Sequence, residues 1–368
     1  MKFALKPLSK IFGAEVTGID LSTLPDADTR NALNEAWVKN AVLVIRDQHL
    51  TPPQFAAAAG MFGELMEQQL KKFALPDHPE VGTISSRDLP VVDGKLHVRG
   101  ENYHTDHSNF AAPPKATTLH AVALPSHGGD TQFVDVRAAF DDLPQAMKDK
   151  VLALRSPHVY ESSHSPRAMA KLTPEEKASI PQTLQPLVIR HPVSGRAALY
   201  LNTARMEGIQ GLPSAEAFDL VDELYQHATQ AKYEYRHQWK AGDMVIWDNR
   251  SVMHQANADF DPSEYRYLYR IMLKGSPLTA ARRRIHTPPP RCSTPLKGQD
   301  EKLPETSGLA AGRIHRTGHC RPSRRTELSH PANQAAGALY RWRRHRFAGA
   351  HSGAENVREP GSAGRGRE

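Results

Sequence analysis

Short strand-like segments recur through residues 1–275, and these segments constrain the fold more than any other feature. "FGAEVTGIDL" (12–21) and "YEYRHQW" (233–239) alternate between apolar and polar residues, while "AVLVIRD" (41–47) and "MVIWDN" (244–249) are almost continuously apolar. Alternation with a period of two is typical of a half-buried strand, and a short apolar run is typical of a fully buried one. The sequence therefore predicts a β core.

Helical segments lie between these strands but do not alternate with them regularly. Each begins with a residue suited to cap a helix, and three of the segments show this most clearly. The first opens at Thr51, followed by Pro52 and Gln54, the second at Thr173, followed by Glu176, and the third at Ser214. A further helix is expected over 26–40, with Leu33 and Trp37 on one face. We expect a mostly β, α+β fold with helical insertions, not a repeated βαβ series.

Composition excludes several classes of protein. No apolar run approaches the roughly 20 residues of a membrane span, and the N-terminal segment lacks the apolar stretch and cleavage site of a signal peptide. The chain contains 2 cysteines, too few for a disulfide framework. We therefore expect a cytoplasmic protein without a membrane partner.

Charge divides the chain into two parts. Residues 276–368 hold 18 of the 47 Lys and Arg and 7 of the 40 Asp and Glu, a net charge of +11, which leaves −4 for residues 1–275. The basic part is rich in Arg, Pro and Gly and has no sustained apolar period, so it is expected to be disordered. We predict a domain over 1–278 and a basic extension over 279–368. Nucleic-acid binding by the extension is an alternative, but a non-functional extension is favoured because no recognition motif accompanies the charge.

The segment "ENYHTDHSNF" (101–110) contains candidate metal ligands. On a strand, His104 and Asp106 would share one face, and His107 would point to the other. His254, after the strand at 244–249, is the best third ligand. Two histidines and one carboxylate are typical of a non-haem Fe(II) oxygenase. A zinc or other cupin-type metalloenzyme using the same ligands stays open as an alternative, although zinc more often takes further N or S ligands.

Two arginines follow His254 at strand spacing. Arg266 and Arg270 would share a face, and a guanidinium binds a carboxylate through two hydrogen bonds. One arginine could hold an oxo-acid co-substrate and the other an anionic substrate. Each of these features alone is more often structural, and their combination is what indicates a site.

The motifs together resemble the taurine/alkylsulfonate and phenoxyacetate-herbicide dioxygenase family over about residues 1–278. The shared pattern is "HTD" at 104–106, "GGDT" at 128–131, "HPVSGR" at 191–196, the histidine of "MHQA" at 253–256, and Arg266 twelve positions after that histidine. The resemblance implies a double-stranded β-helix, that is, a jelly-roll of cupin type.

The resemblance also implies roles for individual residues. His104, Asp106 and His254 would bind Fe(II), Thr131 and Arg266 would contact 2-oxoglutarate, and Arg270 would face the substrate anion. Such an enzyme uses O2, releases succinate and CO2, and hydroxylates a small anionic compound such as a sulfonate, sulfate ester or aryloxyalkanoate. Related enzymes are commonly dimers or tetramers, so we expect a homo-oligomer.

The predicted substrate pocket departs from the family pattern. Where the taurine enzymes have a histidine and a tyrosine, a gapless count places Gln68 and Lys71, which argues against taurine as the substrate. Asn102, Tyr103 and Phe110 are further candidates for contact with the substrate. For Thr131, capping of the turn after Gly128 and Gly129 is an equally good structural alternative.

Overall fold

The computed structural model describes residues 3–68, 73–92, 95–165, 173, 175 and 180–282. Short strands dominate these residues, as the sequence predicts. In chain order the strands are β1 (Ala4–Pro7), β2 (Ala14–Thr17), β3 (Val42–Ile45), β4 (Leu65–Met66), β5 (Ala74–Leu75), β6 (His78–Ser85), β7 (Val91–Val92), β8 (Lys95–Leu96), β9 (Ala116–Ala123), β10 (Thr131–Asp135), β11 (Arg155–His158), β12 (Thr183–Pro186), β13 (Val188–Arg190), β14 (Ala197–Leu199), β15 (Glu234–His237), β16 (Met244–Asp248), β17 (Val252–Ala256) and β18 (Tyr267–Leu273).

The helices of the described residues lie outside the sheets. They are α1 (Ala27–Asn40), α2 (Pro52–Gly60), α3 (Val136–Asp141), α4 (Gln145–Val151) and α5 (Ser214–Ala228), with short 3-10 turns at Ser86–Asp88 and Ala231–Tyr233. The predicted helix starts at Asp26 and Thr51 are confirmed, because Asp26 accepts the amide of Thr29 and Thr51 forms a capping box with Gln54.

One predicted cap is wrong. Ser214 is the first residue of α5, and Pro213 occupies the capping position without a side-chain hydrogen bond. A proline has no amide hydrogen to leave unpaired, which suits a helix start. The predicted start at Thr173 and Glu176 lies mostly outside the described residues, as do Lys71 and the basic segment from 283 onward.

A nine-stranded sheet forms the larger layer. Its strand order is β1-β2-β3-β16-β9-β18-β6-β5, and β4 pairs with the end of β18. All of its pairs are antiparallel except β2 with β3. The strand that carries Arg270, β18, is therefore central, between β9 and β6.

A three-stranded sheet, ordered β15-β10-β17, faces the larger one. Apolar side chains from both sheets form one buried cluster, in which Phe133 of β10 contacts Trp247 of β16 edge-on at 5.4 Å between ring centroids. Burial of such large side chains stabilises the sandwich by about 1.5–3 kcal/mol each. The predicted mostly β, jelly-roll fold is confirmed, and the functional side chains lie where the two sheets meet.

Within the described ranges, no helix has the length and apolar character needed to cross a membrane.

Candidate metal and co-substrate site

Two histidines meet across a single pair of backbone hydrogen bonds. The His104 amide donates to the His254 carbonyl at 3.0 Å, and the His254 amide donates back at 2.9 Å. His254 belongs to β17 of the smaller sheet, whereas His104 lies in a loop that pairs there through this one residue. The bridge brings the two imidazole rings to 4.3 Å between centroids.

The carboxylate of Asp106 completes the group. Its Oδ1 lies 3.7 Å from His104 Nε2, and its Oδ2 lies 3.7 Å from His254 Nε2. These distances exceed hydrogen-bond lengths, so the three side chains converge without binding one another. The donor atoms all lie within 4.8 Å of each other, and in the described part of the chain these residues form the one such group of His, Cys, Asp and Glu.

The strand predicted for this segment is wrong in detail. Only His104 pairs as a strand residue, and residues 106–109 form a turn. His104 and Asp106 still face each other, but a turn and not strand alternation brings them together. His107 adopts a left-handed backbone with φ of 44° and not the extended backbone of the predicted strand, and its ring packs against Phe110.

Protonation states suit a divalent metal. His104 Nδ1 lies 2.8 Å from the Asn102 carbonyl oxygen, which can only accept, so Nδ1 is the donor there and Nε2 is the nitrogen that faces Asp106. Burial, and secondly the charge of His104, lower the pKa of His254 to about 3, so this ring is neutral. Burial raises the pKa of Asp106, but His254, His104 and Arg270 outweigh it and hold that pKa well below its usual range.

Two imidazole nitrogens and one ionised carboxylate oxygen therefore lie around a common centre. This donor set fits an Fe(II) site of the two-histidine, one-carboxylate type. His254 Nδ1 is buried and has no hydrogen-bond partner among the described residues, so nothing there competes for the orientation of its ring.

A chain of hydrogen bonds behind the metal group supports Asp106. Thr117 donates to Asp106 Oδ2 at 2.6 Å, Asn249 Nδ2 donates to Thr117 Oγ1 at 3.1 Å, and Trp247 Nε1 donates to Asn249 Oδ1 at 2.9 Å. Such outer contacts fix the orientation of a metal-binding carboxylate. Neither Thr117 nor Asn249 is singled out in the sequence, since nothing in the spacing links them to Asp106.

Arg266 contacts the turn that leads into Thr131, the first residue of β10. Arg266 is buried, and its Nε donates to the Gly129 carbonyl at 3.0 Å. Burial lowers its pKa to about 10 despite the opposing charges of Asp130 and Asp259, and among the described residues no carboxylate comes within ion-pairing distance of it. Thr131, also buried, accepts a hydrogen bond from Trp239 Nε1 at 3.1 Å, which leaves its hydroxyl proton free to donate.

Gly129 is required for this arrangement. Its φ is +70°, and a Cβ there would come within 2.9 Å of Arg266 Cδ and Nε. The glycine thus lets the guanidinium lie directly on the backbone of the turn.

Arg270 forms a second cationic position. It donates to Gln68 Oε1 at 2.8 Å, its Nε is buried without a partner, and burial lowers its pKa, which Asp106 opposes. Within the described ranges it has no ion-paired carboxylate. Arg99, which the sequence did not lead us to predict, lies near Arg270. Burial, and secondly the charge of Arg270, lower the pKa of Arg99. Its guanidinium packs over Phe73 at 3.8 Å from the ring centroid. Its place five residues before His104 was the available signal.

The remaining pocket candidates differ in position. Phe110 packs against His107 at 5.0 Å between ring centroids. Asn102 contributes its backbone carbonyl to His104. Tyr103 packs into a hydrophobic core cluster, and its hydroxyl donates to Glu234 at 2.8 Å, so the structure ties that side chain into the fold and not into the pocket.

Known proteins of similar sequence match nearly the whole described part of the chain. The profile of the Taurine catabolism dioxygenase TauD, TfdA family matches residues 4–272. The alpha-ketoglutarate-dependent 2,4-dichlorophenoxyacetate dioxygenase of Burkholderia sp. (strain RASC) is 34% identical over 279 residues, covering 73% of this chain and 93% of the relative. The alpha-ketoglutarate-dependent sulfate ester dioxygenase of Pseudomonas putida is 32% identical over 284 residues, covering 75% and 90%.

Solved structures agree. The crystal structure of AAD-2 in complex with Mn(II) and N-oxalylglycine superposes with a TM-score of 0.65 at 30% identity, covering 76% of this chain and 100% of that one. The fold, the metal-binding group and these similarities lead to one conclusion. The chain belongs to the TauD, TfdA family and is a 2-oxoglutarate-dependent dioxygenase.

Proposed function

We propose that the enzyme uses Fe(II), 2-oxoglutarate and O2 to hydroxylate a small organic anion, with release of succinate and CO2. The convergence of His104, Asp106 and His254 donor atoms within 4.8 Å carries the proposal. When bound, Fe(II) would activate O2 while 2-oxoglutarate is oxidatively decarboxylated. The protein's share is to hold the reactants and exclude water.

In this proposal Arg266 holds the far carboxylate of 2-oxoglutarate. Its guanidinium is buried, fixed by Gly129 and free of a competing carboxylate among the described residues. Charge-assisted hydrogen bonds in such a setting are strong and geometrically specific. Thr131 Oγ1 can donate to the same carboxylate, because Trp239 occupies only one of its lone pairs.

Arg270 holds the anionic group of the substrate, with Arg99 as a second cation. Burial and, secondly, the charge of Arg270 lower the pKa of Arg99, and an anion that binds between or beside the two guanidinium groups would relieve their mutual repulsion. Phe110 and His107 would line the apolar side of the pocket. The relatives named for 2,4-dichlorophenoxyacetate and for sulfate esters support an aryloxyalkanoate or a sulfate ester as the substrate class. If the carbon next to the ether or ester oxygen is hydroxylated, the product collapses and releases that group.

The deciding experiment measures succinate formation. Anaerobic Fe(II) with 2-oxoglutarate should produce a visible charge-transfer band, and O2 with a panel of aryloxyalkanoates, sulfate esters and sulfonates should yield succinate. His104→Ala and Asp106→Ala should abolish both signals, whereas His49→Ala, at an exposed histidine, should keep both. A metal-dependent activity with no band and no succinate would instead favour a cupin-type metalloenzyme that does not use 2-oxoglutarate.

We predict that Arg270→Gln separates substrate from co-substrate. Loss of a charge-assisted hydrogen bond costs about 1.5–3 kcal/mol, which corresponds to a roughly 10- to 150-fold rise in KM for the anionic substrate. KM for the co-substrate, 2-oxoglutarate, should stay within about twofold. Arg99→Gln should show a smaller effect in the same direction, because Arg99 is exposed. Equal effects on substrate and co-substrate in Arg270→Gln would contradict the assigned role.

A further inference from the structure

A second cavity, of about 640 Å³, lies away from the metal group. It is bounded by α1, by Lys115 ahead of β9, by α3, by the loop between β13 and β14, and by the turn between β16 and β17. None of the metal or co-substrate residues lines it. Its charged lining side chains are Glu35, Lys39, Lys115, Arg137, Arg196 and Arg250, and its apolar lining includes Trp37, Val38 and Val193.

Three of these five cations are already neutralised, and one of the three is the exposed Arg196, which pairs with Asp141 at 2.7 Å. Arg137 forms two hydrogen bonds to Asp135, and its guanidinium is fully buried. Arg250 binds both oxygens of Asp248 at 2.8 and 2.7 Å. These pairs hold the walls of the cavity and leave no strong net charge of their own.

Lys39 and Glu35 are both exposed and opposite in charge, so Lys115 is the cation that remains. It is half-buried, and in the described part of the chain no carboxylate lies within ion-pairing distance of its Nζ. Burial lowers its pKa, and the neighbouring Arg250 lowers it further against the opposing charge of Asp248. A partly buried ammonium beside a second cation is costly unless an anion compensates it.

Both cations lie near the ring of Trp37. Lys115 Nζ and Arg250 Cζ each lie 5.9 Å from the centroid of the Trp37 ring. Asp248 accepts hydrogen bonds from Nε and Nη2 of Arg250, so Nη1 of Arg250 remains available to a ligand. Val193, 69% exposed, and Val38 add apolar surface to the same cavity. A single uncompensated cation next to an apolar wall matches a monoanion that has an apolar body.

We propose that this cavity binds a small organic monocarboxylate, with its carboxylate on Lys115 Nζ and Arg250 Nη1 and its apolar body against Trp37, Val38 and Val193. The site is separate from the iron site but adjoins its support. Asn249, which hydrogen-bonds to Thr117, also donates its backbone amide to the Lys115 carbonyl at 3.0 Å and directly precedes Arg250. The bound carboxylate would lie on the reverse side of the turn that helps to orient Asp106.

The test uses phenylacetate as a probe with the full-length enzyme loaded anaerobically with Fe(II) and 2-oxoglutarate. Titration is followed by calorimetry and by tryptophan fluorescence. The Arg270→Gln protein, in which the substrate position is weakened, should still bind one equivalent saturably. Lys115→Gln in that background should weaken binding at least tenfold, Lys115→Arg should restore it, and Lys6→Gln, at an exposed lysine of β1, should have no effect.

Three results would overturn the proposal. Binding that disappears in Arg270→Gln would assign the probe to the iron site alone. Binding that is unchanged by Lys115→Gln, in protein whose thermal unfolding matches the parent, would remove Lys115 from the site. Equal affinity for neutral phenylacetamide would show that the cavity does not recognise the carboxylate.

Discussion

At the scale of single residues, the hydroxyl of Thr117 donates to the carboxylate of Asp106, the proposed metal ligand. We predict that Thr117→Val lowers metal affinity by about 10- to 100-fold, since Asp106 loses the hydrogen bond that orients it. Metal titration monitored by the charge-transfer band measures the effect.

The neighbouring position supplies the control for this prediction. Thr118 is also buried in β9, but its hydroxyl has no hydrogen-bond partner among the described residues. Thr118→Val should therefore leave metal affinity unchanged and the free energy of unfolding equal or higher. Similar losses of metal affinity in both variants would point to disruption of β9 and not to orientation of Asp106.

The sequence was sufficient to predict which three side chains converge but not the groups that support them. His104, Asp106 and His254 have side chains whose chemistry is uncommon in combination, so the sequence alone predicts them and the structure brings them together. Thr117 and Asn249 are ordinary residues that acquire a role only because β9 and the turn after β16 become neighbours. That adjacency is a property of the sheet, and no local pattern encodes it.

At the scale of elements, the turn that leads into β10 positions Arg266, because the Gly129 carbonyl accepts a hydrogen bond from Arg266 Nε. We predict that Gly129→Ala raises KM for the co-substrate, 2-oxoglutarate, at least tenfold, because the new Cβ would lie 2.9 Å from the guanidinium stem. It should also cost about 1–2 kcal/mol of stability, since φ is +70°.

Gly18→Ala is the matched control for this turn. Gly18 has φ of +79° with nothing within 4 Å of its added Cβ, so it incurs the same backbone strain without a clash. Urea unfolding should show similar losses for both variants, and only Gly129→Ala should change KM for the co-substrate. A shift of that constant in Gly18→Ala would mean that the effect arises from general destabilisation.

Elements with strong apolar patterns were predicted well, and those shaped by single turns were not. The strands at 41–47 and 244–249 and the helix after Thr51 appear in the structure with small changes of boundary. A strand was expected at 104–107 because it would place His104 and Asp106, two positions apart, on one face. The segment forms one bridge followed by a turn instead, since pairing with β17 extends only to His104.

At the scale of the whole molecule, buried neutral histidines make stability depend on pH. Burial, and secondly the charge of Arg205, lower the pKa of His158 to about 3. The unfolded chain, with a histidine pKa near 6.5, therefore binds more protons between these values, and stability falls as pH decreases through that window. The free energy of unfolding should therefore fall between pH 7 and pH 5. We predict that this fall is smaller by roughly 2 kcal/mol in His158→Gln than in the parent protein.

This prediction is checked by urea unfolding of both proteins at the two pH values. His127→Gln, at an exposed histidine, serves as the reference substitution and should keep the pH dependence of the parent. If His158→Gln keeps it as well, His158 is not the group that couples protonation to unfolding.

The catalytic unit should not need the basic segment. All described site residues lie between Gln68 and Arg270, and we predict that a chain ending at Arg282 keeps succinate formation within about twofold. A chain ending at Leu278 should lose about 1–3 kcal/mol of stability, because the Thr279 carbonyl and the Ala281 amide each hydrogen-bond to β13. Loss of activity in the longer of the two chains would assign the segment from 283 onward a part in the catalytic unit.

The central place of β18 in the large sheet has a consequence for synthesis. β18 pairs with β9 and β6. Its first residue, Tyr267, lies 144 positions after Ala123, the last residue of β9, so the ribosome synthesises β18 well after β9. At about 5–20 residues per second, this delay is roughly 7–29 s. During that interval β9 and β6 each have an open edge that a strand from another chain could occupy. The yield of folded enzyme should therefore depend on the speed of translation between these strands, and slow codons in that stretch should increase aggregation without changing any residue.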